Sequence, residues 1–468
     1  MNTFSSGAER ASTPSRFYLA AWRWHFYAGL FVIPFLMTLA VTGMTMMYIG
    51  YFDGRDGENI TVAVPENARA LSLSAQAGAA LVSQPGGTIS EWLKGRSDGN
   101  VSVFRVGADG TQTMVAVDPY TGAVIDSWER RKGWYDFADG IHSDLLLGTL
   151  GDRLLEIAAG LSIVLVVTGL YLWWPRDRSV LAALVPNLAQ TGRALWKSLH
   201  AQVGIYVSVL LLLFLITGMS WTGIWGGRIM QAWSTFPAEK WDAVPLSDST
   251  HASMNHGAVS DVPWALEQTP MPASGSQAGV EGTAPGTPVT IDSVDALARE
   301  IGFQARYRIA FPKGDEGVWT INQDTMSADA EDPFSDRTVH VDRHTGRILA
   351  NVAFSDYSLA GKAMAVGIPF HMGLMGLWNL MLNTLVCLSV IFLCVSGLVM
   401  WWLRRPKGAS FRVFAPRTPD NLPHWRGAMI LMLFLSLAFP LVGITLLCVL
   451  ALDYLIVKRV PVLRRTIG

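Results

Sequence analysis

Charge is the scarcest ingredient of this chain. Asp, Glu, Lys and Arg make up only 16% of its 468 residues, against 50% hydrophobic residues, and mean hydropathy is +0.30. That balance is too apolar for a soluble multidomain protein and marks a membrane protein. A net charge of −1 carries no information about nucleic acid, and no nucleic-acid partner is expected. Cysteine is nearly absent. Cys387, Cys394 and Cys448 all lie in apolar segments, so there is no disulfide framework, and without a Cys-x-x-Cys-His there is no covalent c-type haem attachment. No Gly-x-Gly-x-x-Gly joins a strand to a helix. The chain therefore cannot oxidise NAD(P)H alone. A cleavable leader is not expected either: Arg10, Arg16 and Arg23 precede an apolar run that is too long for a signal peptide and lacks a small-x-small site. The run reads as a retained signal anchor.

What is abundant is apolar sequence in blocks of about 20 residues, the length that crosses ~30 Å of hydrocarbon. Such blocks fall near residues 26–49, 154–174, 201–224, 377–403 and 427–452. The loops after the second and fourth are short and basic, which directs both to the cytoplasm and the two long loops outward. The fifth block is interrupted by Pro440 and Gly443. It is assigned one crossing, with a re-entrant segment as the alternative that would return the basic tail Lys458, Arg459, Arg464 and Arg465 to the cytoplasm.

The long loops read as folded α+β units. In the first, "SLSAQAGAALV" has a Ser cap and helix-forming alanines, followed by strand-like "NVSVFRV", "TQTMVAV" and "AVIDSW". In the second, "TIDSVDALAREIG" predicts a helix with an Asp cap before "YRIAFP", "GVWTIN", "RTVHVD" and "RILANVAF". The Pro/Gly/Ser-rich stretch 269–288 is expected to be a flexible surface loop.

Self-similarity organises the whole. His25-x3-Gly29 matches His200-x3-Gly204, and each His is followed at the same separation by Thr-Gly-Met, at Thr42-Gly43-Met44 and Thr217-Gly218-Met219. Downstream, Asp118-Pro-Tyr-Thr-Gly matches Asp342-Arg-His-Thr-Gly, His142 matches His371, Thr168-Gly169 matches Ser396-Gly397, and Trp173-Trp174 matches Trp401-Trp402. The expected fold is an α-helical membrane protein in which a helix–α+β domain–helix unit is duplicated into a four-helix core, with the fifth segment appended.

The repeated helix, Asp-x-x-Thr-Gly turn, His, helix and Trp-Trp-basic pattern resembles the PepSY-associated transmembrane family over residues of about 17 to 405. That family comprises iron-regulated bacterial inner-membrane proteins and includes haem-containing ferric-siderophore reductases. The resemblance implies two PepSY-like outer domains. The segmentation then becomes 1–23 cytoplasmic; 24–49 first span; 50–141 first periplasmic domain; 142–174 second span with its outer extension; 175–199 cytoplasmic loop; 200–224 third span; 225–370 second periplasmic domain; 371–403 fourth span with its outer extension; 404–426 cytoplasmic loop; 427–452 fifth segment; 453–468 tail.

Topology sorts the repeated histidines into two levels. His25 and His200 begin outward-going helices at the cytoplasmic side, and His142 and His371 precede inward-going helices at the outer side. Related helices that bring two imidazoles to one level suit a bis-His site for haem b, a non-covalent planar cofactor, so two haems are expected. Arg23, Lys197 and Arg153 are candidate partners of the haem propionates, and ordinary interfacial charges are the alternative. With both axial positions filled, such haems carry electrons rather than bind substrate. The donor is expected to be a partner flavoprotein or a membrane quinol. The acceptor that the resemblance implies is a ferric siderophore, reduced from Fe(III) to Fe(II) in the periplasm. Two other readings stay open: another periplasmic acceptor for the same core, and a haem-free membrane-anchored PepSY binding protein.

The other histidines are assigned no role. His340, Asp342 and His344 alternate along a strand and are expected on a solvated face. His251 and His256, with Met254 nearby, are expected in a polar loop, where a metal is the alternative, and His424 is expected at an interface. Trp22, Trp24, Trp173, Trp174, Trp401 and Trp402 read as an aromatic belt. Trp221 and Trp225, expected to end the third helix, are assigned to anchoring, with a pocket role as the alternative. Gly43, Gly169, Gly218 and Gly397 suit close helix packing, or equally the close approach of a haem face.

Overall fold

A computed structural model describes residues 16–67, 69–176, 179–241, 243–255, 262–406, 413–416, 426–457 and 459–460. His256, His424, the first fifteen residues and Lys458, Arg464 and Arg465 of the tail lie outside them. The elements run α1 (Arg16–Phe52), α2 (Leu73–Ser83), β1 (Thr88–Leu93), β2 (Ser102–Ala108), β3 (Thr111–Val117), β4 (Val124–Glu129), α3 (Trp134–Asp144), α4 (Thr149–Trp173), α5 (Val180–Ala183) and α6 (Gly192–Met219). There follow β5 (Leu246–Thr250), β6 (Pro270–Pro272), α7 (Ile291–Glu300), β7 (Arg308–Ala310), β8 (Trp319–Gln323), β9 (Arg337–Val341), β10 (Ile348–Ala353), α8 (Leu359–Met372), α9 (Leu377–Arg404), α10 (Arg426–Ala438) and α11 (Pro440–Leu452). The chain divides into two compact units, one of residues 1–40, 149–219 and 388–468, the other of residues 41–148 and 220–387.

Among the described residues four helices are long and apolar enough to cross a membrane: α1, α4, α6 and α9. The shortest, α4, has 25 residues, and at 1.5 Å per residue it exceeds the ~30 Å of hydrocarbon. α6 ends at Met219, so Trp221 and Trp225 lie beyond it. In the first unit Val32, Leu161, Val164 and Val442 form a buried apolar cluster. Gly160 makes this possible, since a Cβ there would come within 2.2 Å of Val442. The fifth apolar segment is two helices of 13 residues each. A Cβ on Gly443 would lie 2.9 Å from that of Ser436, whereas residues seven apart in a straight helix are separated by ~10 Å. The chain doubles back at Pro440, and each arm is roughly 20 Å long.

In the second unit the strands of both predicted domains join edge to edge in one eight-stranded sheet, order β10-β9-β8-β7-β1-β2-β3-β4. The order reads outward from the β1–β7 junction in the same way on each side. The junction is antiparallel, with Glu91 opposite Ala310, Trp92 opposite Ile309 and Leu93 opposite Arg308. Strand alternation gives the sheet an apolar face, including Trp92, Phe104, Ile309, Ile321 and Val339, which packs on α2 and α7. The opposite face buries charge. Arg308 bonds Asp329 at 3.0 Å and reaches Asp56 at 3.7 Å, Arg306 bonds Asp329 at 3.1 Å, Arg130 bonds Asp56 at 3.3 Å, and Arg105 pairs with Glu91 at 2.7 Å.

Four expectations are corrected. Thr290, not an Asp, caps α7, while Asp292 reaches across to accept the Leu73 N–H at 2.6 Å and so caps α2. Strand β1 ("TISEWL") went unpredicted. The stretch 269–288 is not a loose loop: β6 pairs with β5, Val280 bridges Ile348, and the Arg347 Nε donates to the Ala278 carbonyl at 3.0 Å. The face of β9 that carries His340 is not solvated. Trp241 and His251 lie against it, and His340 is fully buried.

Asp336 accepts from the Thr325 N–H and hydroxyl at 2.9 and 3.1 Å, and burial together with the nearby Asp324 raises its carboxyl above the ordinary range. An acid raised in the folded state is protonated there after the unfolded chain has ionised. Its contribution to stability is therefore greatest below the unfolded value near 4 and falls as pH rises toward the folded value, by up to about 1.4 kcal/mol per pH unit. Asp336→Asn removes this loss. Melting temperatures measured between about pH 5 and pH 8 should fall less with rising pH in the variant than in the wild type; parallel curves would exclude Asp336 as the source.

Candidate functional site

His25 on α1 and His200 on α6 come together, with ring centroids 6.4 Å apart and rings nearly perpendicular at 87°. Each Nδ1 is held by a hydroxyl from another helix: His25 by Thr168 of α4 at 3.0 Å, His200 by Ser396 of α9 at 2.8 Å. Both hydroxyls spend their own proton locally. Thr168 donates to the Val164 carbonyl at 2.7 Å and Ser396 to that of Leu393 at 3.1 Å. With the hydroxyl protons so engaged, each imidazole can donate from Nδ1 and keep its lone pair on Nε2, the state of a metal ligand. The following glycines leave room for the rings: a Cβ on Gly169 would lie 3.2 Å from the His25 Cε1, and one on Gly397 4.0 Å from that of His200.

The same device recurs in the second unit. His142, near the end of α3, has its Nδ1 2.9 Å from the Thr42 hydroxyl, and a Cβ on Gly43 would lie 3.3 Å from its Cε1. His371 lies at the end of α8. Asn383 of α9 donates to the carbonyls of Phe370 at 2.7 Å and His371 at 3.1 Å, and Asn379 to that of Phe370 at 3.0 Å. Asn379 and Asn383 are both fully buried. Their side chains replace the hydrogen bonds that end carbonyls of a helix lack. Sequence reasoning found the (Thr/Ser)-Gly dipeptides only as repeat markers and a source of smallness. Their recurrence one per span was the signal for the hydroxyl anchors.

The expected charged partners differ in their surroundings. Arg23 donates to the Pro416 carbonyl at 2.8 Å and lies over the Tyr27 ring at 5.0 Å. Lys197 is exposed on α6. Arg153 is taken up by carboxylates of its own helix, in contact with Asp152 and 3.8 Å from Glu156. Arg404, which the sequence reading passed over, lies over Phe26 at 4.9 Å and Trp22 at 5.6 Å, beside the turn of α1 that carries His25.

The second unit also holds a cavity of about 470 Å³. It lies against the charged face of the sheet, between Glu91, Arg308, Thr320 and Asn322 on one side and Ser253, Met254 and Met271 on the other. Behind it, His251 and His340 are both fully buried, and burial lowers both imidazoles from their ordinary range, His251 to about 4. Asp342 does not share a site with them. It fixes the turn after β9, accepting from the His344, Thr345 and Gly275 N–H groups at 2.7, 2.8 and 2.7 Å. Among the described residues no group of three or more His, Cys, Asp or Glu side chains gathers to hold a metal ion.

Residues 22–404 match the family described as the PepSY-associated TM region. No curated protein matches the chain.

The anchor at Thr42 is testable by itself. Thr42→Val keeps the shape and leaves the His142 Nδ1 without its hydroxyl, which should lower stability by about 1–3 kcal/mol. Thr42→Ser should restore most of it. Equal melting temperatures for the Val and Ser variants would show that the bond contributes nothing.

Proposed function

The chain belongs to the PepSY-associated TM family, and we propose that it is a di-haem b reductase of the bacterial inner membrane, built on a duplicated helix–domain–helix unit with its N-terminus in the cytoplasm. It takes electrons from a cytoplasmic flavoprotein or a membrane quinol and delivers them to a ferric siderophore in the periplasm, releasing iron as Fe(II). The observation that carries this reading is the His25–His200 pair. Two imidazoles on one iron, at roughly 2 Å per bond, stand with their ring centres roughly 6 Å apart, and the two rings are 6.4 Å apart, each able to keep its lone pair on Nε2. The residues fit the group.

Bound haem would supply one-electron transfer. The chain's own residues do the rest. His25 and His200 would hold one haem, and His142 and His371 would hold the other. Thr168, Ser396 and Thr42 orient three of these rings and raise their basicity. Gly169, Gly397 and Gly43 keep the approach to them open. Arg23, Lys197 and Arg404 supply positive charge for propionates near His25 and His200, and Arg153 joins such a role only by releasing Asp152. The matching (Thr/Ser)-Gly dipeptides and the symmetric strand order support the duplication. The cavity of about 470 Å³ is within the size of small-molecule sites and supports a soluble acceptor. The same cavity favours, as a second reading, a haem-free PepSY binding protein.

A reduced-minus-oxidised absorption spectrum of the purified protein separates the two. The reductase should show low-spin b-type bands at two haems per chain, and no such signal would sink it. His25→Ala or His200→Ala should each remove one haem and leave the other. Chemically reduced protein should be reoxidised without oxygen by at least one ferric siderophore; if haem is present and none reoxidises it, the acceptor lies elsewhere.

A further inference from the structure

The second unit contains a pair of imidazoles that the reductase reading does not use. His251 follows β5 and His340 sits on β9 of the sheet; their Nε2 atoms face one another at 2.9 Å. Both rings are anchored from behind, the His251 Nδ1 donating to the Thr269 carbonyl at 2.7 Å and the His340 Nδ1 lying 3.0 Å from the Thr320 hydroxyl. Trp241 closes over both at 6.2 Å. A carbonyl can only accept, so the lone pair of His251 is on Nε2 and His340 donates into it. Because a hydroxyl both donates and accepts, rotating the Thr320 hydroxyl lets His340 carry its proton on Nδ1 instead. The two Nε2 lone pairs then point into the same space, an arrangement that is favourable only with a cation between them.

The fold does not need imidazole here. Asp118-Pro-Tyr-Thr-Gly and Asp342-Arg-His-Thr-Gly make the same turn, with Asp118 accepting from the Tyr120 N–H at 2.8 Å as Asp342 accepts from that of His344 at 2.7 Å. Two residues before each Asp stand Ala116 and His340, and Ala116 is simply buried among Leu93, Val103 and Met114. The surroundings of the His pair select among cations. Among the described residues no group of three or more His, Cys, Asp or Glu side chains gathers at the pair, so a divalent ion would be buried with neutral ligands only, at high desolvation cost. Two neutral imidazoles suit a singly charged soft ion, and Met254 and Met271 of the same apolar cluster line the adjoining cavity with thioethers of matching softness.

We propose that His251 and His340 form a buried two-imidazole site for a soft monovalent metal ion, Cu(I), entered from the cavity past Met254 and Met271. Linear coordination at roughly 2 Å per bond needs about 4 Å between the nitrogens. The rings therefore part by about 1 Å as the His251 segment lifts from the sheet. No proton leaves the protein, since the His340 proton moves from Nε2 to Nδ1.

The test uses the full-length protein in detergent, titrated anaerobically with Cu(I) against bathocuproine disulfonate, with haem content read separately by absorption. The wild type should take up one tightly held equivalent that His251→Gln and His340→Gln each weaken by at least a hundredfold, with haem content unchanged. Uptake that is equal in wild type and both variants overturns the site. X-ray absorption of the copper-loaded wild type guards against misfolded variants. A first shell of two nitrogens at about 2 Å supports the pair, and a shell of sulfur alone overturns it. Zn(II), which prefers four ligands, should not displace the copper; displacement would also count against the assignment.

Discussion

The rest of the membrane-embedded structure depends on one interaction, the hydrogen bond from an imidazole Nδ1 to a hydroxyl on a neighbouring helix. A polar ring among apolar side chains is destabilising unless its donors and acceptors are matched. Thr168 and Ser396 meet that demand for His25 and His200, and because each hydroxyl also bonds a carbonyl of its own helix, the ring can donate from Nδ1 and keep its lone pair on Nε2. The bond also dictates what comes next in the sequence. Helices close enough for a short hydroxyl to reach a ring leave little space beside it at Gly169 and Gly43, where a Cβ would lie 3.2 and 3.3 Å from the ring, whereas a Cβ at Gly397 would meet only ordinary contacts. The Thr-Gly dipeptide is thus one physical unit.

A comparable constraint governs the sheet. Joining β1 to β7 places Arg105, Arg306 and Arg308 side by side on a covered face, where each needs a carboxylate. Asp56, Glu58, Glu91 and Asp329 provide them. Removing one partner would leave a buried charge uncompensated, at about 3–5 kcal/mol. Asp56 and Glu58 come from the segment just after α1, whereas Asp329 comes from the loop after β8. The network therefore fixes both strand sets to each other, and it explains why the two domains read from sequence form a single sheet.

Sequence carried four spans, seven of the eight sheet strands and the meeting of His25 with His200, because each rests on a local pattern: apolar length, alternation, or recurrence at fixed spacing. It failed where a long-range partner decides. β1 was invisible because Glu91 breaks its alternation, and the Arg105 that neutralises that charge lies on another strand. Asp292 looked like the cap of its own helix, yet its carboxylate is used by α2, 219 positions away in sequence. His340 read as solvated because nothing local reveals that Trp241 and His251 lie against it. The fifth segment was read as one crossing, and the contact between Gly443 and Ser436 that separates its two helices is not written in any local pattern.

One irregularity in the repeat now has a physical location. His142 and His371 differ by one residue in their spacing to the following Trp-Trp, which would put the two histidines out of phase if it fell within a helix. It does not. α4 begins at Thr149 and α9 at Leu377, so Thr168 and Ser396, and likewise Trp173 and Trp401, stand at equal distances from the starts of their helices. The extra residue lies in the turn between His142 and Thr149. There Leu145 and Leu146 adopt left-handed backbone at φ 57° and 58°, a conformation that costs a non-glycine residue roughly 1–2 kcal/mol. The turn after His371 is made instead by Gly373 and Gly376, at φ 78° and 84°. The first turn holds its strain through the Leu146 N–H bonded to the Gly140 carbonyl at 3.1 Å, and its Leu146 and Leu147 are exposed. Backbone strain sits in the turn, while the hydroxyl, glycine and Trp-Trp positions of α4 and α9 keep equal distances from the starts of their helices.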